Sequence, residues 1–234
     1  MQDLIHESCI VHHIPTMTNP RSKIAVEGLP YIGIFVFFAW ITALFDFNVL
    51  SLLLAVTACF ILYFFRDPER EAPKDPYAVI APADGRVVAI DKISEESFLN
   101  REMTRISIFL SVTDCHINRF PVTGKVIATK YIPGRFHKAY LNLASTENER
   151  LATLVETEDK EQIVIVQITG IIARRIVSYL TLGDLLQKGE RFGMIKFGSR
   201  VELYLPLGCE VAVAVEDKVR GGETIVGWLK EREI

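Results

Sequence analysis

The strongest pattern in the chain is a long apolar run near its N-terminus. From Leu29 to Phe65 it reads LPYIGIFVFFAWITALFDFNVLSLLLAVTACFILYFF, with Asp46 as the only charged residue. A helix that crosses a bilayer needs roughly 20 apolar residues, so the run is too long for one comfortable span. The turn-forming sequence Asp46-Phe47-Asn48 divides it into Leu29–Phe45 and Val49–Phe65. We therefore predict a helical hairpin.

The charges that flank this run predict its orientation. Two cations precede it and three follow it, whereas the central turn has none. Under the positive-inside rule, both ends of the hairpin lie in the cytoplasm. We predict a cytoplasmic tail over residues 1–28, a membrane hairpin over 29–65 and a catalytic domain on the cytoplasmic side of the cell membrane. The alternatives are a hairpin buried in a soluble core and a shallow re-entrant hairpin.

After a linker rich in charge and proline, RDPEREAPKDP, the apolar positions recur with a period of two. Ile106, Ile108 and Leu110 alternate with other residues, and Ile163–Val166 is a β-branched run suited to a strand buried on both faces. Short strands separated by Gly, Pro and Asp turns favour an antiparallel sandwich or flattened barrel with a few short helices. We expect this mainly β domain to occupy residues 66–234.

Three further segments have a predicted structure. Ile171–Leu182 is the best helix candidate in this domain, and Asn142–Leu151 is a weaker one. Val211, Val213 and Val215 alternate with alanines and predict a strand, which returns after a Gly-Gly turn as Thr224–Trp228.

The composition narrows the possible functions. The 234 residues are 50% hydrophobic, and 26 Lys and Arg against 29 Asp and Glu give a formal charge of -3. A basic surface for nucleic acid is not expected from this balance. The four cysteines show no C-x-x-C spacing, so we predict reduced thiols of a cytoplasmic protein and no metal site.

Gly198-Ser199 is the only Gly-Ser pair in the chain. A serine directly after glycine can attack the carbonyl that precedes its own nitrogen, because glycine tolerates the backbone geometry that this needs. The resulting ester can be eliminated to dehydroalanine, and hydrolysis then leaves a pyruvoyl group. Such a ketone condenses with amines and accepts electrons. An ordinary hairpin turn is the alternative.

Two more residues complete a possible site. His116, in FLSVTDCHINRFPVTG, follows a predicted strand and has an ordinary pKa near ~6.5, which suits proton transfer. Asp84, in APADGRV, is either a turn residue or a carboxylate that orients an imidazole, as in a Ser-His-Asp arrangement.

The segments around Asp84 and at the C-terminal end resemble the flattened barrel of biotinyl/lipoyl carrier domains. In addition, FFRDPER, APADG, FLSVTDCHINRFPVTG, IKFGSR and VRGGETIVGWL together resemble short phosphatidylserine decarboxylase proenzymes. The resemblance covers about Leu29 to Leu229. It implies a pyruvoyl enzyme that cleaves itself into a β chain, 1–198, and an α chain, 199–234, which stay together.

The same resemblance implies roles for single residues. Ser199 becomes the pyruvoyl group, Asp84 is the acidic member of the processing triad, and His116 is both processing base and later proton donor. Longer relatives carry D-x-H-x-x-H, whereas this chain has Arg119 at the second histidine position. His137 is the weaker candidate for the base.

The implied substrate is phosphatidylserine, which needs cationic partners for its phosphate and carboxylate. Arg174, Arg175 and Arg119 are the cationic candidates, unless they pair with structural carboxylates instead, and His137 is a further candidate for substrate binding. The implied partners are the membrane and the two chains of the proenzyme, with a homo-oligomer as a further option; neither a metal nor a soluble cofactor is required.

Three other functions stay open at this point. The chain could be a membrane adaptor without enzymatic activity, a protein that cleaves itself without forming a ketone, or a decarboxylase of an ether-linked serine phospholipid.

Overall fold

The computed structural model describes residues 23–140, 144–170, 176–196 and 198–230. The predicted arginines Arg174 and Arg175 lie outside these residues, as does Phe197.

The apolar run forms two helices. A 3-10 turn over Val26–Gly28 leads into helix α1, Leu29–Leu44, and helix α2 follows over Asn48–Phe64. Between them, Asp46 adopts a left-handed φ of 58°, which an aspartate tolerates better than most residues. The predicted division of the run at this turn is confirmed.

The side chains of the two helices are largely exposed. Phe37, Trp40 and Leu53 each expose more than half of their surface, and the pattern extends along both helices. This exposure argues against a hairpin in a soluble core, because a core would bury these residues. By length and composition, the helical stretch Val26–Leu44 is able to cross a membrane, and Asn48–Phe64 is a shorter apolar helix.

The two ends of the hairpin are bound to each other. The backbone N–H of Ala25 donates to the Phe65 carbonyl at 2.8 Å, and that of Asp67 donates to the Lys23 carbonyl at 2.7 Å. A Cβ on Gly28 would lie 2.5 Å from the Phe65 ring, so the absence of a side chain at Gly28 makes room for this ring. The two ends therefore lie side by side.

The strands of the remaining described residues form antiparallel sheets, so the predicted mainly β fold with few helices is confirmed. A long, curled sheet has eight strands in the order β13-β2-β3-β11-β7-β6-β5-β9. Two three-stranded sheets have the orders β4-β10-β8 and β1-β14-β12. The elements are β1 Ala78–Ile80, β2 Gly85–Glu95, β3 Arg101–Leu110, β4 Ile117–Arg119, β5 Gly124–Ile132, α3 Ala144–Glu147, β6 Arg150–Glu156, β7 Gln162–Ile168, β8 Ile176–Ser178, β9 Leu185–Leu186, β10 Arg191–Ile195, β11 Ser199–Leu205, β12 Glu210–Val211, β13 Lys218–Val219 and β14 Ile225–Trp228.

The main core lies on one face of the long sheet. Ile106, Ile108 and Leu110 of β3 pack there with Val201 and Leu203 of β11, as the alternating pattern predicts. The run in β7 is buried on both faces, which is also as predicted. This burial fixes β11, with Ser199 at its first position, between two long neighbours.

Three local predictions are wrong or only partly right. Within Ile171–Leu182, the described part contains strand β8 and no helix, because Ile176 and Val177 pair with β10. In the described part of Asn142–Leu151, the helix covers only Ala144–Glu147, since β6 begins at Arg150. The valine strand after Glu210 ends at Val211, where the chain turns through Ala214 and Asp217.

Candidate active site

Ser199 is the first residue of β11 and is completely buried. It pairs with Leu110 of β3, while the next residue, Arg200, pairs with Ile168 of β7. Its Oγ has no hydrogen-bond partner within the part of the chain that the structure describes. A buried hydroxyl without a partner costs about 1–3 kcal/mol, so this position is unusual for an ordinary turn serine.

The carbonyl of Gly198, which precedes Ser199, is closely packed. Gly198 has a φ of 64°, in the left-handed region that favours glycine. Its carbonyl oxygen lies directly over Gly170, at a distance where a Cβ on Gly170 would come within 2.0 Å. Two glycines therefore define the geometry of the Gly198–Ser199 peptide: one gives the backbone its turn, and the other makes room for the carbonyl.

His116 is also completely buried, between the end of β3 and the start of β4. Its Nδ1 lies 2.9 Å from the Asp114 carbonyl oxygen. A carbonyl can only accept a hydrogen bond, so Nδ1 carries the proton and Nε2 keeps its lone pair. Nε2 has no partner among the described residues. Burial lowers the pKa of His116 from 6.5 to about 4, which keeps the imidazole neutral at pH 7.

The topology brings His116 and Ser199 to the same end of the sheets. The loop that ends at His116 starts after Leu110, which pairs with Ser199. On its other side, His116 precedes Ile117, which pairs with Met194 of β10, and β10 ends at Ile195, four positions before Ser199. These short connections place His116 and Ser199 in the same region of the fold. No hydrogen bond joins them in the described, uncleaved chain.

Asp84 occupies the turn before β2, but both of its oxygens are engaged elsewhere. Arg70 donates to Oδ2 at 3.0 Å, and the Gly221 amide donates to Oδ1 at 2.8 Å. Burial raises the pKa of Asp84 more strongly than Arg70 lowers it. The described residues show no hydrogen bond from Asp84 to His116; Asp84 instead holds the C-terminal Gly-Gly turn against the linker.

Arg119 makes structural contacts. Its Nη2 donates to Asp67 at 3.1 Å and to the Pro68 carbonyl at 2.7 Å, and its Nη1 donates to the Gly189 carbonyl at 3.0 Å. Burial lowers the pKa of Arg119. The alternative in which this arginine pairs with a structural carboxylate is the one found.

His137 lies in a different setting. Its Nε2 is 2.9 Å from Glu147, and its backbone N–H donates to Asn148 at 2.8 Å. Its side chain is 33% exposed. The structure therefore does not show it as a buried imidazole with a free nitrogen.

Sequence reasoning missed a buried amide pair beside the site. Gln167 of β7 donates from Nε2 to Asn118 Oδ1 at 2.8 Å, and this bond links the long sheet to β4. The remaining amide atoms, Asn118 Nδ2 and Gln167 Oε1, have no partner among the described residues. In the sequence, this pair is indicated only by polar residues within otherwise apolar strands. Such residues do not show which strands lie next to each other.

It also missed a charged cluster on the opposite face of β11. Glu202 accepts from Ser145 at 2.6 Å and from Tyr204 at 3.0 Å, and it pairs with Arg200 at 3.4 Å. Arg200 and Glu202 are both almost completely buried. This cluster anchors the strand that carries Ser199, because its members would be costly to bury alone.

Comparison with known proteins decides the family. Residues 57–227 match the model of the family described as phosphatidylserine decarboxylase. The chain belongs to this family. The resemblance and the enzyme that it implies are thereby confirmed.

Curated relatives named phosphatidylserine decarboxylase proenzyme are similar in sequence to this chain along nearly their whole length. That of Desulfotalea psychrophila is 43% identical over 91% of this chain and 100% of its own. That of Syntrophotalea carbinolica is 43% identical over 92% and 100%, and that of Geotalea uraniireducens is 44% identical over 91% and 100%. Membership in a family of such proenzymes argues against the adaptor without enzymatic activity.

Proposed function

We propose that the chain cleaves itself between Gly198 and Ser199 and then decarboxylates phosphatidylserine to phosphatidylethanolamine. One observation carries the proposal: the buried, unpartnered hydroxyl of Ser199 follows directly on a carbonyl held by two glycines. The buried imidazole of His116, which lies at the same end of the sheets and whose Nε2 has no partner among the described residues, supplies the base. The names of the relatives, which are proenzymes of this decarboxylase, support both parts.

The cleavage follows from the chain's own atoms. Ser199 Oγ forms a bond to the Gly198 carbonyl carbon as its proton leaves, and the peptide C–N bond breaks to give an ester. A base then takes the Cα proton of residue 199, and the Cβ–O bond breaks, which leaves a Gly198 carboxylate and dehydroalanine. Water hydrolyses the dehydroalanine, ammonia departs, and a pyruvoyl group remains at the new N-terminus. The products are the β chain, 1–198, and the α chain, 199–234.

His116 fits the role of base in these steps. Its Nε2 lone pair is available because the Asp114 carbonyl holds the proton on Nδ1. Its pKa of about 4 keeps Nε2 unprotonated at neutral pH. Once protonated, a group with so low a pKa is a strong acid, so His116 also suits the later donation of a proton to the substrate carbon.

The surroundings of residue 199 fit a pyruvoyl group. When present, this group supplies a ketone that condenses with the substrate amine and accepts the electron pair left by departing CO2. The chain contributes burial, since both Ser199 and His116 are shielded from bulk solvent before cleavage. His116 Nε2 holds or delivers the proton.

The hairpin supports action at a membrane. Its exposed apolar side chains suit a bilayer, and the cations at both of its ends suit the cytoplasmic side. The substrate's acyl chains can then stay in the bilayer while its head group reaches the β domain. Because Arg119 is engaged by Asp67, Arg174 and Arg175 are our proposed cationic partners of the lipid anion.

The test compares wild type with Ser199→Ala and with Ser178→Ala, which removes another buried serine hydroxyl. CO2 release from phosphatidylserine in detergent is measured, alongside denaturing electrophoresis. We expect release and two chains for wild type and Ser178→Ala, and one inactive chain for Ser199→Ala. Release by Ser199→Ala would overturn the proposal. A parallel assay with an ether-linked serine phospholipid tests the alternative substrate.

A further inference from the structure

The last turn of α2 contacts the loop that ends at His116. The Tyr63 hydroxyl donates to the Thr113 carbonyl at 3.1 Å, and Arg66 Nη2 donates to the same carbonyl at 2.8 Å. In return, Cys115 Sγ donates to the Arg66 carbonyl at 3.4 Å. Arg66 is itself held, because its guanidinium lies 4.0 Å from the centre of the Tyr63 ring. The end of the hairpin therefore holds the loop at the Thr113 carbonyl and at the Cys115 side chain.

Phe64 adds a contact to the imidazole itself. The ring centres of Phe64 and His116 are 4.2 Å apart, with a 37° angle between the planes. Phe64 is only 1% exposed, whereas Phe60, one turn earlier, is 43% exposed. The Phe64 side chain thus points inward, whereas Phe60 on the preceding turn faces outward.

The end of the hairpin is also rigid with respect to the β domain. Phe65 stacks on Tyr31 of α1 with ring centres 6.0 Å apart, and its carbonyl accepts from Ala25. Phe64 and Phe65 pack in one cluster with Ile117 of β4 and Met194 of β10. A displacement of α2 would therefore displace β4, which begins directly after His116, and its partner β10.

We propose that the C-terminal end of α2 and the two residues after it, Tyr63–Arg66, position His116, so that the hairpin is a working part of the active site as well as a membrane anchor. The inference rests on the proposed role of His116. An anchor alone needs only an apolar surface, and the many exposed side chains of the hairpin already provide one. The buried ring and the three hydrogen bonds to loop 111–116 have no part in anchoring.

This arrangement predicts which property changes when the contact is lost. Burial is the largest cause of the lowered pKa of His116. The hydrogen bond to the Asp114 carbonyl and the charge of Asp114 raise this pKa, whereas the charge of Arg66 lowers it. Removal of the Phe64 ring admits water to the imidazole, which raises the pKa and loosens the position of Nε2. A small displacement of a catalytic group can cost on the order of 100-fold in rate.

The experiment uses Phe64→Leu, which keeps an apolar side chain, and Phe60→Leu as the matched control on the same helix. Tyr63→Phe is a milder second variant, since it removes only one hydroxyl. The full-length proteins are assayed on phosphatidylserine dispersed in detergent, where delivery to a membrane no longer limits the rate. The readouts are the extent of processing, kcat and KM, and the pH dependence of kcat.

We expect Phe64→Leu to lower processing or kcat about tenfold or more, with KM little changed and the pH profile displaced. Tyr63→Phe should have a smaller effect in the same direction, and Phe60→Leu should behave as wild type. If Phe64→Leu and Tyr63→Phe both match Phe60→Leu, or change KM alone, the inference is wrong while the proposed function stands. If wild type is neither cut nor active, the proposed function itself fails.

Discussion

The two histidines of the catalytic domain lie in opposite environments. His116 is completely buried and has an Nε2 without a partner among the described residues, whereas His137 is 33% exposed and its Nε2 lies against Glu147. Burial lowers the pKa of His116 to about 4. A candidate base is therefore identified by a buried imidazole nitrogen without a hydrogen-bond partner, and not by the presence of a histidine alone.

The surroundings of the two residues explain the difference. His116 follows a loop that is packed under the end of α2, next to strands whose pairing leads to Ser199. The backbone of His137 is instead clamped by Asn148, whose Nδ2 donates to the His137 carbonyl and to the Thr169 carbonyl. Through Asn148, the backbone of His137 is thus linked to the end of β7, just before Gly170.

The largest difference between the two histidines is expected when each imidazole is replaced by an amide. His116→Gln should slow self-cleavage by about 100-fold or more, because glutamine cannot take a proton and general base catalysis typically contributes 10²–10⁴-fold. His137→Gln should change it by about twofold at most, since an amide can still donate to Glu147. Pulse-chase electrophoresis of the two chains measures both rates. Equal losses in the two variants would remove the distinction.

Gly170 offers a test of intermediate size. Gly170→Ala would place a Cβ 2.0 Å from the scissile carbonyl oxygen and 3.2 Å from Ala139, so the peptide must shift. Overpacking of this kind costs roughly 1–3 kcal/mol, and we expect cleavage to slow by about tenfold. Gly33→Ala is the matched control, because nothing lies within 4 Å of a Cβ there. Cleavage at the wild-type rate in Gly170→Ala would show that this contact does not set the geometry.

The smallest effect concerns pH. Since the pKa of His116 is about 4 in the folded chain, its neutral form dominates down to about pH 5, and cleavage should be nearly constant from about pH 8 to 5.5 and fall towards pH 4. In the unfolded chain His116 is protonated below about pH 6.5, whereas in the folded chain it is protonated only below about pH 4. Acid therefore also destabilises the fold between about pH 6.5 and 4. Circular dichroism therefore has to confirm that the protein stays folded. A midpoint near pH 6.5 in folded protein would contradict the buried environment.

The sequence was sufficient for features that depend on neighbouring residues. The apolar run, its turn at Asp46 and the alternating strands around Ile106 and Ile165 all rest on local periodicity. Gly198-Ser199 could be singled out because the proposed cleavage needs only two adjacent residues. The helix predicted over Ile171–Leu182 was wrong where the structure describes it, since pairing with β10 overrode the local pattern.

The rest of the site depends on contacts between distant segments. Gly170 meets Gly198, Gln167 meets Asn118, and Phe64 meets His116 only because the strands are paired in one register. No spacing along the chain indicates these partners. The same holds for Asp84, whose carboxylate binds a turn more than a hundred residues away.

The most direct test of the account is the intact mass of the purified protein under denaturing conditions. We predict two polypeptides, one ending at Gly198 with a free carboxylate and one beginning at residue 199. The second should be lighter, by one molecule of ammonia, than a peptide with an N-terminal serine, and its N-terminus should resist Edman degradation. A single uncut chain that still releases CO2 from phosphatidylserine would contradict the account.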